Sequence, residues 1–322
     1  MRVACVGGGA REHVIAETLY KSGAEIYAVM KNRNPGIMNL ASDYTILKET
    51  DVDKVVSWCR DKRVELAVIG PEAPLAAGIV DALEKEGIPA VGPTKSAAEI
   101  ETSKAFMRLL MEKYGIDGNL EYRVFTDIGE IRSFLKDYDK EYAVKPAGLT
   151  GGKGVKVFGE HLRNNAEALR YCEEIIEKGI GGGVVVIEEK AVGEEYTLQA
   201  FVDGKRVIPM PLVQDHKRAY EGDAGPNTGG MGSYSQEDGL LPFISIDDYK
   251  KSVKIVERIV GALRDEGRTY KGIIYGQFML TADGPKIIEV NCRFGDPEAM
   301  NVLPLLRNNF LKVCEEIVDE NL

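Results

Sequence analysis

The chain has 322 residues, 44% hydrophobic and 29% charged, an ordinary balance for a globular protein of two or three domains. The formal net charge of −10 argues against nucleic-acid binding, although backbone amides and a few lysines can still hold phosphates locally. Five scattered cysteines, with no C-x-x-C pair, indicate neither a zinc site nor a disulfide framework and favour a reducing cytoplasm. We expect no signal peptide, and no apolar run is long enough to span a membrane.

The first predicted unit is a strand over 2–7, a turn at Gly7-Gly8-Gly9 and a helix through about Ser22. This order begins a doubly wound α/β domain, and the turn can present backbone N–H groups to an anion. It is not a dinucleotide fingerprint, because Glu12 stands where the third glycine is needed and no acid follows the second strand. The turn therefore predicts either a phosphate-bearing ligand or a purely structural bend.

The βα alternation continues to about Val91. A buried strand at 65–69 ends in Gly70-Pro71-Glu72, and loops after such strands build the ligand crevice of a parallel sheet. Glu72 can hold sugar hydroxyls or an amine there, or it can be an ordinary acid at a helix N-terminus. A helix to Gly87, a strand and the break at Gly92-Pro93 close the domain.

The middle of the chain predicts a glycine-rich lid. One helix is predicted over 95–114 and a smaller α/β unit over 117–187. Within that unit, a strand ending at Lys145 precedes four glycines between Gly148 and Gly154, whose amides can close over phosphates. The spacing is not that of a Walker A loop, and a flexible linker without a ligand is the alternative.

Two segments after the lid are polar. Residues 188–195 cross between two strands, where main-chain groups can meet a base and Glu195 a ribose. Residues 214–232 are predicted to be a long loop that cradles a substrate, since structureless segments of this length are usually functional or disordered. His216 is either a base or an unremarkable polar residue. A helix is predicted over 246–267.

The last predicted feature is a hairpin of strands 272–281 and 286–291. A three-residue loop at 283–285 would pair Gln277 with Asn291 and put Ile287, Glu289 and Asn291 on one face. One carboxylate and two amides are oxygen donors that suit Mg²⁺, and Arg293 beyond the strand can hold an anion beside it. The alternative is a buried acid paired with Arg293.

Together these segments resemble the ATP-grasp superfamily and, within it, the phosphoribosylamine–glycine ligases. The resemblance rests on GGGAREH (7–13), VIGPEAPLAAGIVD (68–81), GPTKSAAEIETSKAF (92–106), VKPAGLTGGKGV (144–155), IEEKAVGEEYT (187–197), QDHKR (214–218), GPNTGGMGSYS (225–235) and EVNCRFGDPE (289–298). It covers almost the whole chain. Many relatives differ at Pro146 and Thr150, and many ATP-grasp enzymes carry Glu where Gln277 stands.

The resemblance implies a role for each matched residue. ATP would be bound by Lys104, Lys145, Gly148, Gly151, Gly152, Lys153, Gly154, Glu188, Glu189, Ala191 and Glu195. The substrates would be bound by Gly8, Gly9, Arg11, Glu12, His13, Pro71, Glu72, Gly229, Gly230, Met231, Gly232, Asp296 and Glu298. The metal ligands would be Gln277, Glu289 and Asn291, and the catalytic residues Arg293, Asp215 and Lys217.

The resemblance also implies the activity and the domains. It predicts ATP-dependent joining of glycine to 5-phosphoribosylamine through glycyl phosphate, with Mg²⁺ or Mn²⁺, in a cytoplasmic monomer or dimer without nucleic-acid or membrane partners. A Rossmann-like domain (1–102) would precede an ATP-grasp fold, whose first part (103–190) contains the lid (about 118–190) and whose second (191–322) carries the metal site. The family's usual C-terminal domain is expected to be absent. Another ATP-grasp ligase and a non-catalytic nucleotide-binding protein are the alternatives.

Overall fold

The structure, a computed structural model, describes residues 1–150, 154–222 and 224–322. Gly151, Gly152 and Lys153, assigned above to the lid, lie outside the described residues.

The N-terminal part is a parallel sheet of five strands in the order β3-β2-β1-β4-β5. Its elements are β1 (Arg2–Val6), α1 (Ala10–Lys21), β2 (Glu25–Met30), α2 (Pro35–Leu40), β3 (Ala41–Ile46), α3 (Val52–Asp61), β4 (Leu66–Ile69), α4 (Glu72–Ala77), α5 (Ile79–Lys85) and β5 (Ala90–Val91). This confirms the predicted doubly wound domain. The strand order reverses between β1 and β4, so the crevice opens where their carboxyl ends meet.

Two predicted helices are each divided. The helix after β4 breaks at Gly78, which has a φ of +87° and ends α4 before α5 begins. The helix predicted over 95–114 is instead α6 (Glu99–Thr102) and α7 (Lys104–Lys113). Ser103 is extended between them, and its side chain accepts a hydrogen bond from the N–H of Phe106, so a new helix begins at Lys104.

The predicted lid is an antiparallel sheet in the order β6-β9-β7-β8 with helices packed against it. Its elements are β6 (Tyr122–Phe125), α8 (Ile128–Asp137), β7 (Tyr142–Pro146), β8 (Lys156–Val157), α9 (Asn165–Glu177), a 3₁₀ turn (Ile180–Gly182) and β9 (Val185–Glu189). It has a hydrophobic core of its own, which includes Leu135, Tyr142 and Ile175.

The remaining chain forms a second antiparallel sheet, in the order β11-β10-β14-β15, and a separate two-stranded one of β12 and β13. The elements are β10 (Glu194–Asp203), β11 (Val207–Pro209), β12 (Gln214–Tyr220), β13 (Ala224–Tyr234), α10 (Ile246–Asp265), β14 (Lys271–Thr281), β15 (Gly284–Asn291), α11 (Ala299–Leu305) and α12 (Phe310–Val318).

The prediction of a long loop over 214–232 was wrong. The segment is the β12–β13 hairpin, whose strands pair from Gln214 with Tyr234 to Tyr220 with Ala224. The register shifts on both sides of Arg218. Strands are recognised in a sequence by alternating apolar and polar residues, and this segment of glycines and charged residues has no such alternation. Its two strands are held by main-chain pairing, which the side-chain pattern does not reveal.

The last two helices join the N-terminal sheet to the second antiparallel sheet. Phe310 of α12 is fully buried and packs against Phe201 of β10 in a tilted arrangement and against Phe294 edge to face. The same hydrophobic cluster includes Val3 of β1 and Ile15 of α1. Because this packing brings the two sheets together, the carboxyl ends of β1 and β4 lie beside the end of β15.

Candidate active site

The β14–β15 hairpin has a register different from the predicted one. Its loop is two residues, Ala282 and Asp283, because Thr281 pairs with Gly284. Gln277 therefore lies opposite Glu289, and Tyr275 lies opposite Asn291. The expectation that Gln277 faces Asn291 was wrong.

A β-bulge corrects the predicted face as well. Phe278 pairs with Ile287 while Gln277 pairs with Glu289, so Ile288 is the additional residue. Since the bulge reverses the alternation, Ile287 is fully buried in the core, away from Glu289. Glu289 and Asn291 still share a face, where the Asn291 amide donates a hydrogen bond to Glu289 Oε1 (3.1 Å).

The three proposed metal ligands are neighbours on this hairpin. Gln277 lies across the ladder from Glu289, and its Nε2 donates to Glu195 Oε2 (2.8 Å). The described residues contain no group of three or more His, Cys, Asp and Glu side chains arranged for a metal. A cation here would thus be held by one carboxylate and amide oxygens, a donor set that fits a hard divalent ion.

Three lysines influence the charge of the Glu289 carboxylate. Burial raises the pKa of Glu289, but the Asn291 hydrogen bond and then Lys217, Lys145 and Lys104 lower it below its usual value. Burial lowers the pKa of Lys104, whose Nζ lies 3.3 Å from the carbonyl oxygen of Gly148. Glu289 is therefore ionised at neutral pH within a cationic surface.

Four of the proposed nucleotide residues, Lys145, Glu188, Glu189 and Glu195, lie on β7, β9 and the start of β10. Lys145 is buried, with its Nζ 2.6 Å from Glu188. Glu188 is 1% exposed and also binds Arg108, so both of its oxygens are occupied by protein donors. Its assignment to adenine stays a prediction. Glu189 is half-buried and accepts the N–H of Glu121 (3.0 Å).

The described ends of the glycine-rich loop are held by the lid. Gly148 donates its N–H to the carbonyl of Gly181 (2.9 Å), and Gly154 accepts from the Tyr171 hydroxyl (2.7 Å). Ala191 lies in the connection between β9 and β10. These contacts fix both ends of the loop on one sub-domain.

Arg293 lies where three parts of the chain meet. Its guanidinium is 3.5 Å from Glu72, 3.8 Å from Glu101 and 3.2 Å from Asn291 Oδ1. Burial lowers the pKa of Arg293, but the carboxylates of Glu101 and Glu72 raise it by more, so the net change is upward. The guanidinium is therefore permanently charged. Its buried Nε has no hydrogen-bond partner among the described residues. The guanidinium can bind an anionic ligand through the N–H groups that Glu72, Asn291 and the carbonyl of Phe294 do not occupy.

Sequence reasoning missed Glu101. It is 8% exposed and accepts the backbone N–H of Cys292 (2.6 Å) next to Arg293. Burial raises its pKa, although Arg293 opposes the effect. The sequence shows an acid just before the helix that begins at Lys104. No sequence pattern, however, indicates that position 101 lies next to position 293 in the fold.

The glycine turn after β1 is built around Glu12. Its carboxylate accepts the Gly9 N–H (2.7 Å) and the Arg11 Nε–H (2.6 Å), and it is 3% exposed. A Cβ on Gly7 would lie 2.4 Å from Glu12 Cγ and 2.9 Å from Pro71 Cδ. Glu12 therefore shapes the turn from inside and leaves almost no surface for the substrate contact predicted for it.

The other residues of this turn connect the two parts of the site. Arg11 donates to the carbonyl of Phe294 (3.2 Å), the residue after Arg293. The carbonyl of Gly8 accepts from Asn32 and Asn34. His13 packs on α2, where a Cβ on Gly36 would lie 2.2 Å from its ring. Backbone N–H groups and Arg11 are the features of this turn that can face an anion.

A buried polar triangle lies under the segment after Arg293. Glu298 is 2% exposed and accepts from Tyr275 (2.9 Å) and Thr197 (3.2 Å), whose hydroxyls are 3.1 Å apart. The N–H of Gly295 donates to Gln199 (2.8 Å). Thr197, Gln199 and Tyr275 were not among the site residues predicted from the sequence. The one local signal that could have indicated them is that they are polar residues within otherwise apolar strands. Asp296 is exposed to solvent as a residue, and the protein atoms around its carboxyl group displace enough water to raise its pKa.

The β12–β13 hairpin covers this segment. Asp215 lies 3.8 Å from Lys217, and Lys217 lies 3.5 Å from Glu195. Burial raises the pKa of Asp215 to about 6, Lys217 opposes this, and Glu298 and Glu195 add to it. Burial lowers the pKa of Lys217, but Glu195 and Asp215 raise it overall. A carboxyl group whose pKa lies near neutral pH, and which is held beside a fixed cation, can accept and release a proton at neutral pH.

The glycines of β13 lie at the open side of the site. A Cβ on Gly230 would lie 3.0 Å from Pro297, which places this strand against the segment before Glu298. Gly229 and Met231 are exposed, and Gly232 pairs with His216. The structure thus brings together most of the predicted site residues, from the glycine turn to the hairpins.

Known proteins match this arrangement over the whole chain. The profile of the phosphoribosylglycinamide synthetase N domain matches residues 1–101, and that of its ATP-grasp (A) domain matches 102–299. The chain belongs to the phosphoribosylglycinamide synthetase family. The phosphoribosylamine–glycine ligase of Methanothermobacter thermautotrophicus is 60% identical over all of this chain and 74% of its own length. That of Thermococcus gammatolerans is 57% identical over all of this chain and 73% of its own.

Solved structures agree with this family. The crystal structure of phosphoribosylamine–glycine ligase from Thermotoga maritima superposes with a TM-score of 0.82 at 29% identity, over all of this chain and 76% of that one. A D-alanine–D-alanine ligase from Bacillus anthracis superposes with a TM-score of 0.67 at 18% identity, over 99% of this chain and 98% of that one, which shows the ATP-grasp fold alone.

Family membership makes the chain an ATP-dependent ligase of the ATP-grasp type that acts on small molecules with a divalent metal. Within the part of the chain that the structure describes, no helix is long and apolar enough to cross a membrane.

Proposed function

We propose that this protein joins glycine to 5-phosphoribosylamine in purine biosynthesis, giving glycinamide ribonucleotide, ADP and phosphate. The family supports the reaction, since its relatives are phosphoribosylamine–glycine ligases. The observation that carries the proposal is that Lys104, Lys145 and Lys217 all lie close enough to Glu289 to lower its pKa, and that Arg293 binds the neighbouring Asn291. These charges suit a polyphosphate, a divalent ion and an amino-acid carboxylate held together.

The first step is phosphoryl transfer. A glycine carboxylate oxygen attacks the γ-phosphorus of ATP, the bond to the β,γ-bridging oxygen breaks, and ADP and glycyl phosphate form. Arg293 holds the carboxylate, and Lys104 and Lys145 neutralise charge on the phosphates. No protein nucleophile is required, because positioning and charge neutralisation supply the catalysis.

The second step forms the amide bond. The amine of 5-phosphoribosylamine attacks the carbonyl carbon of glycyl phosphate, phosphate leaves, and the nitrogen loses a proton. Asp215 accepts that proton, and Lys217 stabilises the departing phosphate. The glycine turn with Arg11 holds the 5-phosphate of the sugar, and Glu72 holds its ribose or amine.

Glu289, Asn291 and Gln277 would hold the divalent ion, for which we propose Mg²⁺ or Mn²⁺. When bound, the ion neutralises phosphate charge and polarises the transferred group. Closure of the lid sub-domain, which contains β6 to β9, excludes water, which otherwise hydrolyses the acyl phosphate. The division at residues 102 and 190, a cytoplasmic location and a monomer or dimer without nucleic-acid or membrane partners stay predictions from sequence.

The test is ADP release with ATP, Mg²⁺, glycine and freshly made phosphoribosylamine, omitting each component in turn. We expect release to require all four and glycinamide ribonucleotide to appear in equal amount. Release that persists without phosphoribosylamine, or that accepts alanine as readily as glycine, would contradict the proposal. Glu289→Ala is expected to abolish turnover, whereas Asp61→Ala, at an exposed carboxylate on α3, serves as the control.

A further inference from the structure

Arg108 on α7 is completely buried, and none of the proposed steps uses it. Its guanidinium makes five hydrogen bonds, as many as it has N–H groups. Nε and NH2 donate to the two oxygens of Glu188 (2.9 and 3.0 Å), and NH2 also donates to the carbonyl of Ile288 (3.1 Å). NH1 donates to Asn119 Oδ1 and to the carbonyl of Ile287 (both 3.0 Å).

One end of this network reaches the nucleotide side of the site. Glu188 binds Lys145 (2.6 Å) as well as Arg108. A Glu188–Lys145 pair without Arg108 would have no net charge and would attract a phosphate only weakly. Because Arg108 supplies a second positive charge, the triad has a net charge of +1, and Lys145 keeps an attraction for an anion.

The other end reaches the metal side. Ile287 and Ile288 form the β-bulge that turns Glu289 away from the core. A bulge interrupts the hydrogen-bond ladder, and a slip by one residue exchanges the two faces of a strand. By binding both carbonyls, Arg108 stabilises the register in which Ile287 is buried and Glu289 lies next to Asn291.

We infer that Arg108 is a positioning residue that holds the phosphate-binding Lys145 and the metal-binding Glu289 in a fixed relation to each other. This inference rests on the proposed function. It requires an arginine, because one planar group must bind a carboxylate through two donors and two successive carbonyls at once. A lysine retains the charge but cannot span these partners.

The test compares Arg108→Lys and Arg108→Met with Met107→Ala, a matched control. Met107 is the neighbouring residue on α7, is 1% exposed and packs in the core, so its truncation lowers stability without removing any of the five hydrogen bonds of the Arg108 guanidinium. Binding of Mn²⁺ with a non-hydrolysable ATP analogue is measured by electron paramagnetic resonance and by calorimetry, and KM is measured for ATP and for glycine.

We expect Arg108→Lys to weaken binding of the Mn²⁺–nucleotide complex at least tenfold and to raise KM for ATP, while KM for glycine changes less than threefold. Met107→Ala should lower Tm and leave the binding constant unchanged. Wild-type affinity of Arg108→Lys for the Mn²⁺–nucleotide complex would overturn the inference. So would a loss of affinity in Met107→Ala that is as large, relative to its loss of Tm, as the loss in Arg108→Lys.

A milder variant covers the case in which the Arg108 variants do not fold. Asn119 accepts from Arg108 NH1 and donates to the Arg108 carbonyl (3.2 Å). Asn119→Ala should weaken binding of the same complex two- to fivefold, and unchanged binding would overturn the inference. If the wild-type protein binds no Mn²⁺–nucleotide complex, the proposed function itself fails, so the two failures are distinguishable.

Discussion

Asp215→Asn should make the protein more stable and less active at neutral pH. The Asp215 side chain is 7% exposed, and burial raises its pKa from 3.8 to about 6 despite Lys217 at 3.8 Å. A buried carboxylate that must be charged for catalysis is held at a cost in folding free energy. Removing the charge removes both the cost and the proton acceptor.

The magnitude follows from linkage. Each pH unit between the folded and unfolded pKa corresponds to about 1.4 kcal/mol, so the rise to about 6 amounts to at most about 3 kcal/mol. Because the folded pKa is the higher one, the stability that protonation contributes is fully present below about pH 4 and is lost as pH rises through about 6. This rise already includes the opposing attraction of Lys217, so about 3 kcal/mol is the upper limit of the gain in stability expected for Asp215→Asn at neutral pH.

The assay is thermal unfolding from pH 4 to pH 8.5 with a chelator and without nucleotide. Asp215→Asn should have a higher Tm than the wild type at pH 7.5, and the difference should shrink towards pH 4. Turnover should fall by about 10²-fold or more, and kcat/KM of the wild type should decline below about pH 6. Asp61→Asn, at an exposed carboxylate, is the control. A variant less stable than the wild type at pH 7.5, or one with full activity, would refute the reasoning.

Three further substitutions test other parts of the site. Glu289→Gln should abolish Mn²⁺ binding measured by electron paramagnetic resonance while the fold is kept, and retained binding would exclude Glu289 as a ligand. Tyr275→Phe removes the hydroxyl that donates to Glu298, should cost about 1–2 kcal/mol in denaturant unfolding and should raise KM for phosphoribosylamine; additive effects with Thr197→Val would contradict a shared network. Gly7→Ala, at a φ of +122° with Glu12 Cγ 2.4 Å from the new Cβ, should lower Tm by several degrees, and an unchanged Tm would show that the turn adapts.

The local sequence pattern was sufficient to predict most of the helices and strands. The strand at 2–6 and the glycine turn after it were predictable because apolar runs and glycines report on neighbouring backbone. The lid elements followed from the same signals, including the helix at Ile128–Asp137. The candidate site was largely predictable through motifs, since Lys104, Glu289 and Arg293 stand in segments that resemble a known family.

The sequence by itself therefore determined the α/β class and the order of most of the elements, and its motifs proposed most of the candidate site residues. Only the tertiary structure decided the register of the last hairpin and the strands of 214–234, because a bulge at Ile288 and a polar ladder have no distinct side-chain pattern. It also decided the partners of Arg108, Glu101 and Tyr275. Each of these buried polar groups is satisfied by residues far away in the chain, for example Arg108 by Glu188 and by β15, and such pairings arise only when separate elements pack.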